Sequence, residues 1–164
     1  MPTAHRVIVD ADSCPVKHEI IAAGQANSVP VVLVASFDHV LKEAGDHVSI
    51  VQVDRSDQSA DLYIANHIKR GDILVSGDFG LAAMALGKGA YAMSVRGQQY
   101  TNENIDYLLD RRHAQMKMRR SGKHSKGPKP FTDEDRKNFL QSLTRLLQIL
   151  QENSKPSANS NTCI

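Results

Sequence analysis

Short apolar runs rich in β-branched residues recur along the first part of the chain: RVIVD (6–10), PVVLVA (30–35), VSIVQV (48–53), DILVS (72–76) and AYAMSV (90–95). Most are nearly continuous rather than alternating, the pattern of strands buried on both faces. The segments between them carry helical spacing over 15–27, 39–44, 59–70 and 79–86. Strand and helix therefore alternate, which predicts a single α/β domain with a mostly parallel sheet and helices on both faces. Beyond it, Thr101 opens a helix to about Arg120, and SGKHSKGPKP (121–130) reads as a loop. A last helix starts at Thr132, where TDED places Asp135 three residues after a capping threonine. Phe139, Leu143, Leu146, Leu147 and Leu150 give that helix an apolar stripe suited to core packing.

At 164 residues and 41% hydrophobic content the chain can bury one sizeable core. The domain is expected to span residues 1–151, and the polar end, 152–164, has the composition of a disordered tail. The two cysteines, Cys14 and Cys163, form no CxxC pair and indicate neither a disulfide scaffold nor a zinc site. No run approaches the roughly 18 apolar residues of a membrane helix, and no apolar signal core precedes the first strand, so a cytoplasmic protein is expected.

The net charge of +2 conceals an asymmetry. Residues 1–110 hold 8 Lys/Arg against 14 Asp/Glu, and residues 111–164 hold 12 against 4, balances of −6 and +8. An acidic site on the body and a basic C-terminal segment able to meet a polyanion are implied, although two solvated faces would give the same totals.

The acidic residues concentrate at strand ends. Asp10 closes the first strand and Asp12 follows it in DADSCP; Asp57 and Asp61 lie in SDQSADLYI; Asp78 follows the fourth strand in VSGDFGLAA. The carboxyl ends of strands in a parallel sheet form the usual ligand crevice, and Asp10 and Asp78 lie side by side if the first and fourth strands are neighbours. Converging carboxylates repel one another unless a cation neutralises them. Oxygen-only ligation points to Mg²⁺ or Mn²⁺, held by Asp10, Asp12, Asp61 and Asp78, with phosphodiester hydrolysis as the implied chemistry. The plainer alternative for each is helix capping or a turn, above all for Asp57 and Asp78. Lys17, one turn into the first helix, reaches either a phosphate or solvent. Cys14 has no adjacent histidine and reads as packed, and the histidines show no ligand spacing.

VDADSCPVK, SADLYI, SGDFGLAAMALGKGA, RGQQYTNENI and RRSGKHSKGPKPFTDEDRKNF together resemble the bacterial YaiI/YqxD family, over Arg6 to about Leu147. That family is grouped with PIN-like domains, many of which are metal-dependent ribonucleases. The resemblance implies a PIN-like fold and places Asp10, Asp12, Asp61 and Asp78 on the family's acidic motifs, with Asp57 also matching. Gly122, Gly127, Pro128, Pro130, Phe131, Asp135 and Arg136 fall on its C-terminal motif.

These readings converge on a nuclease using Mg²⁺ or Mn²⁺, with RNA ahead of DNA as partner. Asp10 and Asp78 would be direct ligands, Asp12 and Asp61 further ligands or water-orienting bases, and Asp57 a secondary acidic residue. Arg119, Arg120, Lys123 and Lys126, with Lys17, would contact phosphates. Two alternatives stand beside it. One is a nucleic-acid- or partner-binding module without turnover. The other is a phosphatase of the haloacid dehalogenase type with Asp10 as nucleophile, to which Cys14 and Pro15 after the DxD are a poor fit.

Overall fold

The computed structural model describes residues 5–36, 45–55, 59–122 and 129–154. The expected helix at 39–44, Asp57, Lys123 and Lys126 lie outside the described residues. The chain forms one α/β domain around a sheet of six strands in the order β3-β2-β1-β4-β5-β6. These are β1 (Val7–Asp10), β2 (Val31–Ser36), β3 (Val48–Val53), β4 (Ile73–Val75), β5 (Tyr91–Met93) and β6 (Gln99–Tyr100). The helices are α1 (Lys17–Ala26), α2 (Ser59–His67), α3 (Phe79–Gly87), α4 (Asn102–Arg120) and α5 (Asp133–Ser154). All neighbouring strands run parallel except β6, which is antiparallel to β5.

Strand alternation sorts the core into two layers. Val7, Val9, Leu33, Ile73 and Val75 pack on one face with Ile20 and Ala23 of α1 and with Phe139, Leu143 and Leu147 of α5. Ile8, Val34, Leu74 and Ala92 turn to the other face, against α2, α3 and the start of α4. Burial on both faces is why these strands read as continuous apolar runs. The stripe on α5 is buried from Phe139 to Leu150.

Two glycines are set by close approach. A Cβ on Gly24 of α1 would stand 2.7 Å from Val31 Cγ2 and 2.9 Å from the Val29 carbonyl oxygen. Gly97 turns the β5–β6 hairpin at φ +92°, where a Cβ would meet the Asn138 carbonyl oxygen at 2.9 Å. The two glycines thus let α1 and α5 sit tight against the sheet.

Several boundaries differ from the sequence reading. The first helix begins at Lys17 rather than at position 15, after a 3₁₀ turn over Ala11–Ser13. β6 carries no sequence signal, because two residues with one polar side chain show no periodicity. α5 runs through Ser154, so residues 152–154 continue the helix rather than beginning the tail.

Candidate active site

The strand order reverses between β1 and β4, which are paired in parallel with Val9 opposite Val75. Chains leaving these two strands diverge to opposite sides, opening a crevice at their carboxyl ends. Asp10, the last residue of β1, and Asp78, just past β4, both line this crevice. By alternation Asp10 shares the face of Ile8, toward α2 and α3.

The crevice is an open cleft of about 1050 Å³. Asp10, Ser13, Gly77, Asp78 and Phe79 form its strand-end side. Arg111, Arg112, Gln115, Met116 and Arg119 of α4, with Lys129, form the opposing side. The spacing 112, 115, 116, 119 presents one helical face to the carboxylates. α4 is fixed at its start by a reciprocal capping box: Thr101 Oγ1 accepts from Asn104 N at 3.1 Å, and Asn104 Oδ1 accepts from Thr101 N at 2.9 Å. Ile105 is buried against the core, whereas residues 110–122 are exposed apart from the half-buried Gln115. The basic half of α4 thus projects along the cleft.

Burial is the main cause that lifts the Asp10 carboxyl, to about 6, and the charges of Asp61, Asp12 and Asp78 push it further in the same direction. Burial also raises Asp61, with Asp78 adding to the rise and Arg112 opposing it. The four aspartates singled out from the sequence therefore share one electrostatic neighbourhood. Their side chains are committed to different degrees. Both Asp12 oxygens accept from Ser36 N, at 3.1 and 3.0 Å, tying the turn after β1 to the end of β2. Asp78 caps α3, Oδ1 accepting from Leu81 N at 3.1 Å, and the same oxygen lies 3.6 Å from Arg112 Nη1. Capping and exposure to the cleft are compatible roles for this residue. Ser76 is a turn residue, its hydroxyl accepting from Asp78 N at 3.0 Å, while Ser13 lines the cleft.

Among the described residues, no three His, Cys, Asp or Glu side chains are grouped tightly enough to hold a metal ion as they stand. The donor set does not fit an all-protein cage. Mg²⁺ asks for less, one or two carboxylates with the remaining positions taken by water and substrate oxygens.

The expected basic contacts divide. Arg119 lines the cleft; Arg120, the last residue of α4, does not. Lys17 does not line it either, its ammonium donating to the Cys14 carbonyl oxygen at 3.0 Å, so this residue closes the first turn of α1. Cys14 is buried and its thiol is pushed up to about 11, chiefly by burial, as expected of a packed cysteine. Arg111, Arg112 and Lys129 belong to the cleft and were legible only as members of a basic run. His5, His47 and His67 bond the carbonyls of Gly71, Ile21 and Tyr63, away from the acidic centre.

The C-terminal motif is in part a clasp. Phe131 lies between two guanidinium groups, those of Arg96 at 5.6 Å and Arg136 at 5.2 Å from the ring centroid. Arg96 pairs with Asp135 at 2.7 Å and donates to the Lys129 carbonyl oxygen, which holds Lys129 at the cleft. Arg136 donates to the Pro15 carbonyl oxygen and lies 3.5 Å from Glu19, fastening α5 to the β1–α1 junction. Asp135 caps α5 reciprocally with Thr132, as its position in TDED predicted.

The pattern of the uncharacterised bacterial YaiI/YqxD family matches residues 8–149. A UPF0178 protein of Bacillus velezensis is 46% identical over 141 residues, covering 86% of this chain and 84% of that one. One from Enterococcus faecalis is 44% identical, covering 87% and 97%, and one from Clostridium tetani is 43% identical, covering 87% and 96%. Among solved structures, the crystal structure of a mutant of Rae1 (YacP) from Bacillus subtilis aligns over 88% of this chain and 98% of that one, at 13% identity and a TM-score of 0.42. With a match running through every element from β1 to α5 at more than 40% identity to its relatives, this chain belongs to the YaiI/YqxD family.

Proposed function

We propose that this protein is a divalent-metal-dependent nuclease that hydrolyses phosphodiester bonds, with RNA the first substrate to test and DNA the second. The observation that carries the reading is the cleft itself. Asp10, lifted to about 6 first by burial and then by the charges of Asp61, Asp12 and Asp78, stands with Asp78 opposite Arg111, Arg112, Arg119 and Lys129. A cation at the carboxylates and a polyanion along the arginines would each relieve a repulsion that the protein alone leaves in place.

Asp10 with Asp78 or Asp61 would hold Mg²⁺ or Mn²⁺, and Asp12 would keep the turn in place through Ser36. When bound, such an ion supplies Lewis acidity toward a phosphoryl oxygen and a more acidic water. Arg111, Arg119 and Lys129 would bind the phosphates flanking the scissile bond and set its register over Asp10 and Asp78. Phe131 is enclosed by Arg96 and Arg136, which removes it as a stacking platform for a base.

A binding module without turnover is the second reading. It is favoured by one observation, the engagement of Asp12 and Asp78 with backbone amides. The phosphatase reading is weakened by the same contact: an Asp12 held by Ser36 N is not presented as a proton donor beside Asp10.

The deciding experiment is Mn²⁺ binding to the wild type and to an Asp10→Asn/Asp78→Asn double variant, because it requires no guess about substrate. Asparagine preserves the cap on α3. Binding by the wild type and its loss in the variant support the metal centre. No binding by the folded wild type overturns the nuclease and leaves the binding module, whose RNA affinity would fall steeply with salt and ignore Mg²⁺.

A further inference from the structure

The arginines near the cleft are held very differently. Arg96 and Arg136 are each pinned by a carbonyl oxygen, a carboxylate and the Phe131 ring. Arg112 is half exposed on the projecting part of α4, and among the described residues its ion-pair partner is Asp78 alone, at 3.6 Å. That contact is too long for a charge-assisted hydrogen bond. A cation tethered to one cleft carboxylate by a single loose contact and carried on a flexible stem can leave at little cost.

We propose that Arg112 is the resident counter-ion of the acidic cleft, which a divalent cation displaces from Asp78 and which then turns to a substrate phosphate. The exchange rests on the metal-centre reading above. Its physical basis is charge repulsion: a divalent ion on Asp78 and a guanidinium 3.6 Å from the same carboxylate repel each other, and Asp78 Oδ1 is already engaged by Leu81 N. The displaced guanidinium stays in the cleft, where Arg111 and Arg119 flank it on the same helix. Metal loading thereby converts one cation from neutralising protein carboxylates to binding an incoming phosphodiester, and couples the two binding events with positive sign.

The test is a Mn²⁺ titration of the full chain, free of nucleic acid, comparing the wild type with Arg112→Ala, Arg112→Gln and Arg145→Ala. Arg145, exposed on α5 and not part of the cleft lining, controls for the loss of one positive charge. Removing the competitor should tighten Mn²⁺ binding by about three- to tenfold in both Arg112 variants, with Arg145→Ala shifting it far less. Wild-type binding that Arg112→Ala and Arg112→Gln leave unchanged, weaken, or alter no more than Arg145→Ala does overturns the counter-ion role while leaving the metal centre standing. No binding by any of these proteins overturns both. A second readout uses a phosphorothioate oligonucleotide. Arg112→Gln should weaken its binding in the presence of Mn²⁺ despite the tighter metal, and an unchanged affinity overturns the turn to phosphate.

Discussion

Asp10 concentrates the chemistry of the cleft in one side chain. Its carboxyl is lifted from an ordinary value of 3.8 to about 6, first by burial and then by Asp61, Asp12 and Asp78. A carboxyl raised in the folded state is better protonated there than in the unfolded chain. Its contribution to stability is full below the ordinary value and is lost as the pH rises through about 6. Asp10→Asn removes the charge and keeps the shape. In chelator-treated buffer the variant should melt above the wild type at about pH 7.5, and the gap should close toward about pH 4. Equal melting temperatures at both values would mean that neither burial nor the neighbouring carboxylates raise Asp10 in solution. Asp61 shifts in the same direction with Arg112 opposing the shift, so Arg112→Ala should lower stability most at neutral pH, where the acidic groups are ionised.

At the scale of elements, the site depends on helices held at fixed distances from the sheet. Gly24 lets α1 approach β2, and Gly24→Ala forces a Cβ against Val31 Cγ2 and the Val29 carbonyl oxygen. Overpacking of this kind should cost about 1–3 kcal/mol, measurable by urea unfolding. Phe139, fully buried, fixes α5 to the face of the sheet that it shares with α1. Phe139→Ala should cost about 3–5 kcal/mol. A loss below about 1 kcal/mol would show that α5 is not integral to the core. Through Arg96 and Arg136 the same helix holds Lys129 at the cleft and grips the β1–α1 junction. The C-terminal motif is thus structural at Phe131, Asp135 and Arg136 and open to a ligand at Lys129.

Across the whole molecule, the acidic body and the basic segment meet at one place. α4 leaves the core after its first turns and carries Arg111, Arg112 and Arg119 over the carboxyl ends of β1 and β4. A polyanion bound along this helix releases counter-ions in proportion to the phosphates it neutralises. Arg119→Ala should weaken oligonucleotide binding and reduce the slope of log K against log salt by about 1. An unchanged slope in fluorescence anisotropy would place the binding path elsewhere. No helix among the described residues is long and apolar enough to cross a membrane.

Taken alone, the sequence determined those features that arise from contacts along the chain. The strands are legible because burial on both faces demands continuous β-branched runs, and the α5 stripe because one helical face meets the core. Caps were legible as well: Thr101, Thr132 with Asp135, and Asp78 satisfy amides three residues away. The tertiary structure alone decided the rest, because it depends on groups distant in sequence. The pairing of β1 with β4 brings Asp10 beside Asp78, and Ser36 draws Asp12 onto the end of β2. Within a run of similar charges, spacing does not say which cations face the cleft. The crossing of α4 over the strand ends selects Arg111, Arg112 and Arg119, and passes over Arg120.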